Sequence, residues 1–211
     1  MVEAPTPAAA FVPAPITKRK ILAVEGKDEV NFFVALLALM GIGDCDIRYV
    51  AGKDYFPVKL RTLTKDPGFG DVETFAVIRD ADEDASAAFN SIKKVLEERG
   101  LVSPKTKNTF GKGCPKVGIF ILPGNSDKGM LEDLCLRTVK DRPAMACVDK
   151  FAECAMALRP PPKIPAKAKA QAFLAAMPEI VNSVGLGAQK GYWDFHSGEL
   201  ADLKSFLENL R

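Results

Sequence analysis

Short apolar runs that alternate with helical stretches constrain this chain more than any other feature. Residues 21–24, 74–78 and 117–122 have the near-continuous apolar character of strands buried on both faces, and residues 47–50 read as a short strand. Residues 28–40, 55–64 and 83–99 carry apolar side chains at helical spacing, and the last of these stops at Gly100. Strands separated by helices of this length pair in parallel, with right-handed crossovers. The alternation therefore predicts an α/β fold: a parallel sheet of about four strands flanked by helices.

Composition agrees. Of 211 residues 47% are hydrophobic and 27% charged, enough to bury one sizeable core. A net charge of +2 conceals 29 basic and 27 acidic residues, so nucleic-acid binding would need a local patch rather than a global field. Five cysteines without a CxxC pair or a nearby histidine argue against a disulfide framework and a structural zinc site, and predict a reducing cytoplasmic setting. No run approaches the roughly 18 apolar residues of a membrane span, and the start lacks the pattern of a secretory signal.

Three parts are expected. Residues 1–16, MVEAPTPAAAFVPAPI, read as a loose Pro/Ala-rich tail, residues 17–142 as the α/β domain, and residues 143–211 as a helical extension packed on it. Helices are predicted over 130–139, 144–158, 166–177 and 199–210. The segment 103–116, SPKTKNTFGKGCPK, reads as a long basic loop whose Lys105, Lys107, Lys112 and Lys116 either follow a nucleic-acid backbone or form soluble surface.

Carboxylates stand where the strands end, the edge at which open α/β sheets gather ligands. The first strand runs into Glu25 in ILAVEGKDE, where Gly26 suits a sharp turn and Asp28 and Glu29 suit a helix N-terminus. The third runs into Asp80 and Asp82 in VIRDADED, which in extended chain address one side about 7 Å apart. The fourth leads to GNSDKGMLEDL, where Glu132 can reach the same cluster. Carboxylates brought together repel unless they share a proton or a cation, and hard oxygen donors suit Mg2+ or Mn2+. DADED before a helix also reads as a capping cluster, and Glu132 and Asp133 as first-turn acids.

A strand ending in Glu-Gly, an intervening βα unit and a strand ending in Asp-x-Asp together resemble the Toprim domain of topoisomerases, primases, recombination proteins and OLD-type nucleases. The chain is most similar to the stand-alone prokaryotic Toprim-like group DUF3226, in which a Gly-x-Leu-Glu follows the last strand. The resemblance implies a general acid/base role for Glu25 and magnesium binding by Asp80 and Asp82. The Tyr-bearing domain of a topoisomerase and the zinc domain of a primase are absent.

Two functions follow as expectations. One is Mg2+- or Mn2+-dependent chemistry on nucleic-acid phosphodiesters. The other is a non-catalytic module that binds a nucleotide, a phosphorylated ligand or a partner protein; a homodimer is compatible with both. Lys27 and Lys128 either touch phosphate or are solvated. Arg79 breaks the family pattern. Strand alternation turns it away from Asp80, so it should lie beside a helix or an acid such as Glu83, leaving the aspartates unneutralised. The Gly-rich segment at 185–191 lacks a preceding strand and the dinucleotide spacing, so Tyr192, Trp193 and His196 are expected to pack the extension on the domain, and the cysteines to be buried.

Overall fold

The computed structural model describes residues 15–50 and 55–211. The predicted tail at 1–16 lies almost wholly outside them.

Five strands form one sheet: β1 (Lys20–Val24), β2 (Asp46–Tyr49), β3 (Thr74–Asp80), β4 (Thr109–Phe110) and β5 (Lys116–Leu122). Their spatial order is β2-β1-β3-β5-β4, and every pairing is parallel except β4 with β5. The expected parallel α/β sheet is present. The extra strand comes from the basic loop: two residues are too few to show a periodicity, yet Phe110 packs on Phe206, and Gly118 opposite it leaves room for the ring. Within that loop Lys107 pairs with Asp127 at 2.8 Å, and Lys116 bonds Asn209 and lies over the Phe110 ring.

Alternation along the strands feeds two cores. Leu22, Val24, Ala76, Ile78, Phe120 and Leu122 face one side, and Ile21, Ala23, Phe75, Val77, Ile119 and Ile121 the other. The second side is covered by α2 (Phe56–Leu63) and α3 (Ala85–Glu98) through Phe56, Leu60, Phe89 and Ile92. The first is covered by α1 (Lys27–Leu39) and α4 (Leu131–Thr138) together with the C-terminal helices α5 (Ala144–Met156), α6 (Pro165–Ala175), α7 (Val184–Gln189) and α8 (Ala201–Leu207). Phe173, Trp193, Phe195 and Phe206 belong to the same buried cluster as Leu22 and Ile78. The C-terminal helices thus share one core with the sheet.

The glycines near residue 185 serve this packing. A Cβ on Gly185 would stand 2.6 Å from Asn31 Cβ of α1, and one on Gly187 would stand 2.7 Å from Leu174. The buried Trp193 stacks on Phe173 and donates from Nε1 to the Val184 carbonyl at 2.8 Å. His196 is exposed, contrary to expectation. All five cysteines are free, but only Cys135 is buried; Cys147 and Cys154, two helical turns apart, share the solvent face of α5. Among the described residues no helix is long and apolar enough to cross a membrane.

Candidate functional site: an acidic crevice at the carboxyl edge of the sheet

The carboxyl ends of β1 and β3, the N-terminal turns of α1 and α4, and the start of α6 enclose a crevice of about 330 Å3. Glu25, Asp28, Glu29, Asp80, Asp82 and Glu132 line it together with Lys27 and Lys167. Of the residues expected from the sequence, Glu25, Lys27, Asp80, Asp82 and Glu132 therefore meet in one space. Lys128 does not: it is exposed on the loop before α4, outside the lining.

Each strand end uses its acids differently. In DADED, Asp84 is the helix cap, its Oδ1 accepting from the Ser86 and Ala87 amides at 2.8 and 2.9 Å, which leaves Asp80 and Asp82 for the crevice. After β5, Asp133 accepts from the Met130 amide at 2.9 Å, which leaves Glu132. The capping reading thus holds for one acid in each group.

Asp80 accepts from the Leu131 amide at the start of α4 at 3.0 Å. Burial, and then the charges of Glu29, Glu132 and Glu25, push its carboxyl well above the ordinary carboxylate range, against the lowering effect of that amide. Burial likewise raises Glu29 and Glu132, the latter moderated by Lys167, whose Nζ lies 3.8 Å from Glu132 Oε1.

Asp82 departs from the extended geometry assumed for Asp-x-Asp. β3 ends at Asp80, and Asp82 has φ 52° and exchanges two backbone hydrogen bonds with Gly129. The alternation that put both side chains on one side does not extend to it, although both line the crevice.

Arg79 lies beside helices as expected, but the acid it meets is Glu25, not Glu83. Its Nε stands 3.3 Å from Glu25 Oε2, its guanidinium lies over the Phe56 ring of α2, and Nη1 reaches Ser91 of α3 at 3.4 Å. The register explains it. Val24 pairs with Ile78, so the next residues, Glu25 and Arg79, emerge side by side on the α2/α3 face. Asp80 emerges on the other.

Asp28, Glu29 and Lys167 are the charged lining residues without a site role in the sequence analysis. Glu29 is one helical turn beyond Glu25, a spacing visible in EGKDE, but an acid there equally fits a helix N-terminus. Gly26 has ordinary extended backbone, φ −127°, so no special turn demands glycine. A Cβ there would collide with the folded-back Glu29 carboxylate. Lys167 comes from the C-terminal helices and leaves no local signal.

Among the described residues no group of three or more His, Cys, Asp or Glu stands close enough to hold a metal ion. The chemistry of the donors nevertheless suits a hard divalent cation: all are carboxylates, and Asp80 is crowded by three like charges in a buried place.

A structure comparison matches the hypothetical protein PH0156 from Pyrococcus horikoshii OT3 with a TM-score of 0.51 and 19% identity, covering 92% of this chain and 95% of that one. That likeness concerns the fold. No curated protein matches. The model of the DUF3226 family, described as a protein of unknown function, matches residues 19–211, from the start of β1 through the last C-terminal helix. The chain is a member of the DUF3226 family.

Proposed function

We propose that the crevice is a Toprim-type site that handles nucleic-acid phosphodiesters with the help of Mg2+ or Mn2+. The observation that carries this reading is the crowding of Asp80 by Glu29, Glu132 and Glu25 at the carboxyl edge of a parallel sheet. A buried carboxyl so placed is relieved by a proton or a cation, and the first-strand glutamate with the third-strand Asp-x-Asp supports the cation. Asp80 and Asp82 would hold it, with Glu132 alongside, after rotations that bring their oxygens together. When bound, such an ion neutralises charge at a phosphate oxygen. Lys27 and Lys167 add positive charge at the wall.

Glu25 is the residue for proton movement, and its Oε2 stands 3.3 Å from the Arg79 guanidinium at the crevice. The experiment is incubation of single- and double-stranded DNA and RNA with Mg2+ or Mn2+ at low salt. Slow nicking that Glu25→Gln abolishes, with the fold intact, is the expected result. A second reading is favoured by the same Arg79 pair, since a neutralised Glu25 also suits a module that binds a nucleotide, a phosphorylated ligand or a partner without turnover. Cation-dependent binding of nucleic acid with no cleavage would select it.

A further inference from the structure

A second space lies beside the crevice. A groove of about 920 Å3 runs along β2, the strand at the sheet edge, and shares Lys27 and Tyr49 with the crevice. Its other lining includes Lys18, Arg48, Val30 and Ile47. Arg48 pairs with the groove's Asp46, and Lys18 bonds the Gly43 and Cys45 carbonyls, so the groove keeps an excess of positive charge among its described residues. Tyr49 closes β2 with 47% of its surface exposed at the junction.

Two features identify the occupant. A phosphate that approaches six carboxylates needs cations beside it, and Lys27 of α1 and Lys167 of α6 supply them from two different walls. The contact of Lys167 with Glu132 is longer than a hydrogen bond and its side chain is 56% exposed, so its ammonium can reach a ligand. An exposed aromatic beside a basic, partly apolar groove is the surface on which an unpaired base stacks. A duplex keeps its base faces inside and cannot use it.

We propose that crevice and groove together take an unpaired polynucleotide strand, with one base laid on Tyr49 and the adjoining phosphate held between Lys27 and Lys167. This rests on the nucleic-acid part of the function proposed above, and it makes the C-terminal helices part of the binding site.

The test is fluorescence anisotropy of a short labelled oligothymidylate and of a duplex of equal length, in Mn2+ at two salt concentrations. Wild type, Tyr49→Ala and Lys167→Met are compared, with Mn2+ binding measured separately by calorimetry. Both variants alter exposed side chains, and circular dichroism checks that they fold. The single strand should bind more tightly than the duplex. Tyr49→Ala should weaken it by at least about fivefold with Mn2+ binding unchanged, and Lys167→Met should weaken it and reduce the salt dependence by about one phosphate contact. Unchanged oligothymidylate affinity in both variants, or a duplex bound as tightly as the strand, would overturn the proposal. Strand binding that needs Tyr49 in a protein that takes no Mn2+ would uphold it and remove the cation from the function proposed above.

Discussion

Arg79 and Glu25 form an ion pair at the ends of adjacent parallel strands, 3.3 Å apart, with only 8% and 13% of their side chains exposed. Removing the arginine breaks this nearly buried ion pair and also the contact of the guanidinium with the Phe56 ring. Arg79→Ala should therefore destabilise the fold by about 3 kcal/mol, read as a fall in the urea midpoint. Cation affinity should change far less than stability. An Arg79→Ala protein as stable as the parent, or one that gains cation binding, would show that the arginine stands in for the ion.

The crevice acids predict a pH dependence. Asp80, Glu29 and Glu132 all have raised folded-state values, chiefly through burial, so each holds its proton more tightly folded than unfolded. Their contribution to stability is complete below about pH 4 and is lost as pH rises through the folded values. In chelator, Asp80→Asn should melt above the parent at pH 8, and the difference should vanish toward pH 4. Mn2+ should raise the parent's melting temperature at pH 8. Identical melting of parent and variant at both pH values would contradict the crowding of Asp80.

Much of this was legible because burial on both faces leaves a continuous apolar run, as in β1, β3 and β5, and because a charge at the end of such a run stands out. Glu25, Asp80 and Asp82 stand out that way, and Glu132 stands in the first turn of the helix that follows the fourth strand. What escaped depended on pairing between distant segments. The two residues of β4 are a strand only because β5 and Phe206 are beside them, and Arg79 meets Glu25 through a register that neither segment encodes alone. Lys167 reaches the crevice across 35 residues from Glu132, by helix packing.

Gly185 permits α7 to lie against α1, where Asp28 Oδ1 accepts from the Gly185 amide at 3.3 Å. Gly185→Ala forces a Cβ to 2.6 Å from Asn31 Cβ and should cost about 1–3 kcal/mol in thermal or urea unfolding. Gly198→Ala, where a Cβ meets nothing within 4 Å, is the control and should be close to neutral.

Phe206 of α8 packs against both Phe110 and Phe120 and is 3% exposed. Phe206→Ala should destabilise by about 3–5 kcal/mol and increase amide exchange in β4. Leu158→Ala, at 57% exposure, should stay within about 0.5 kcal/mol of the parent. If Phe206→Ala were equally mild, the C-terminal helices would not belong to the core of the sheet.

The most direct measurement is a calorimetric titration of Mg2+ and Mn2+ into the full chain, beside the Asp80→Asn/Asp82→Asn double variant, at neutral pH and low salt. The parent should take up a divalent ion, and more tightly as pH rises, because the raised acids must lose their protons to bind it. The double variant should bind weakly or not at all while unfolding cooperatively. Equal binding by the two proteins, or none by either, would contradict a cation site in the crevice.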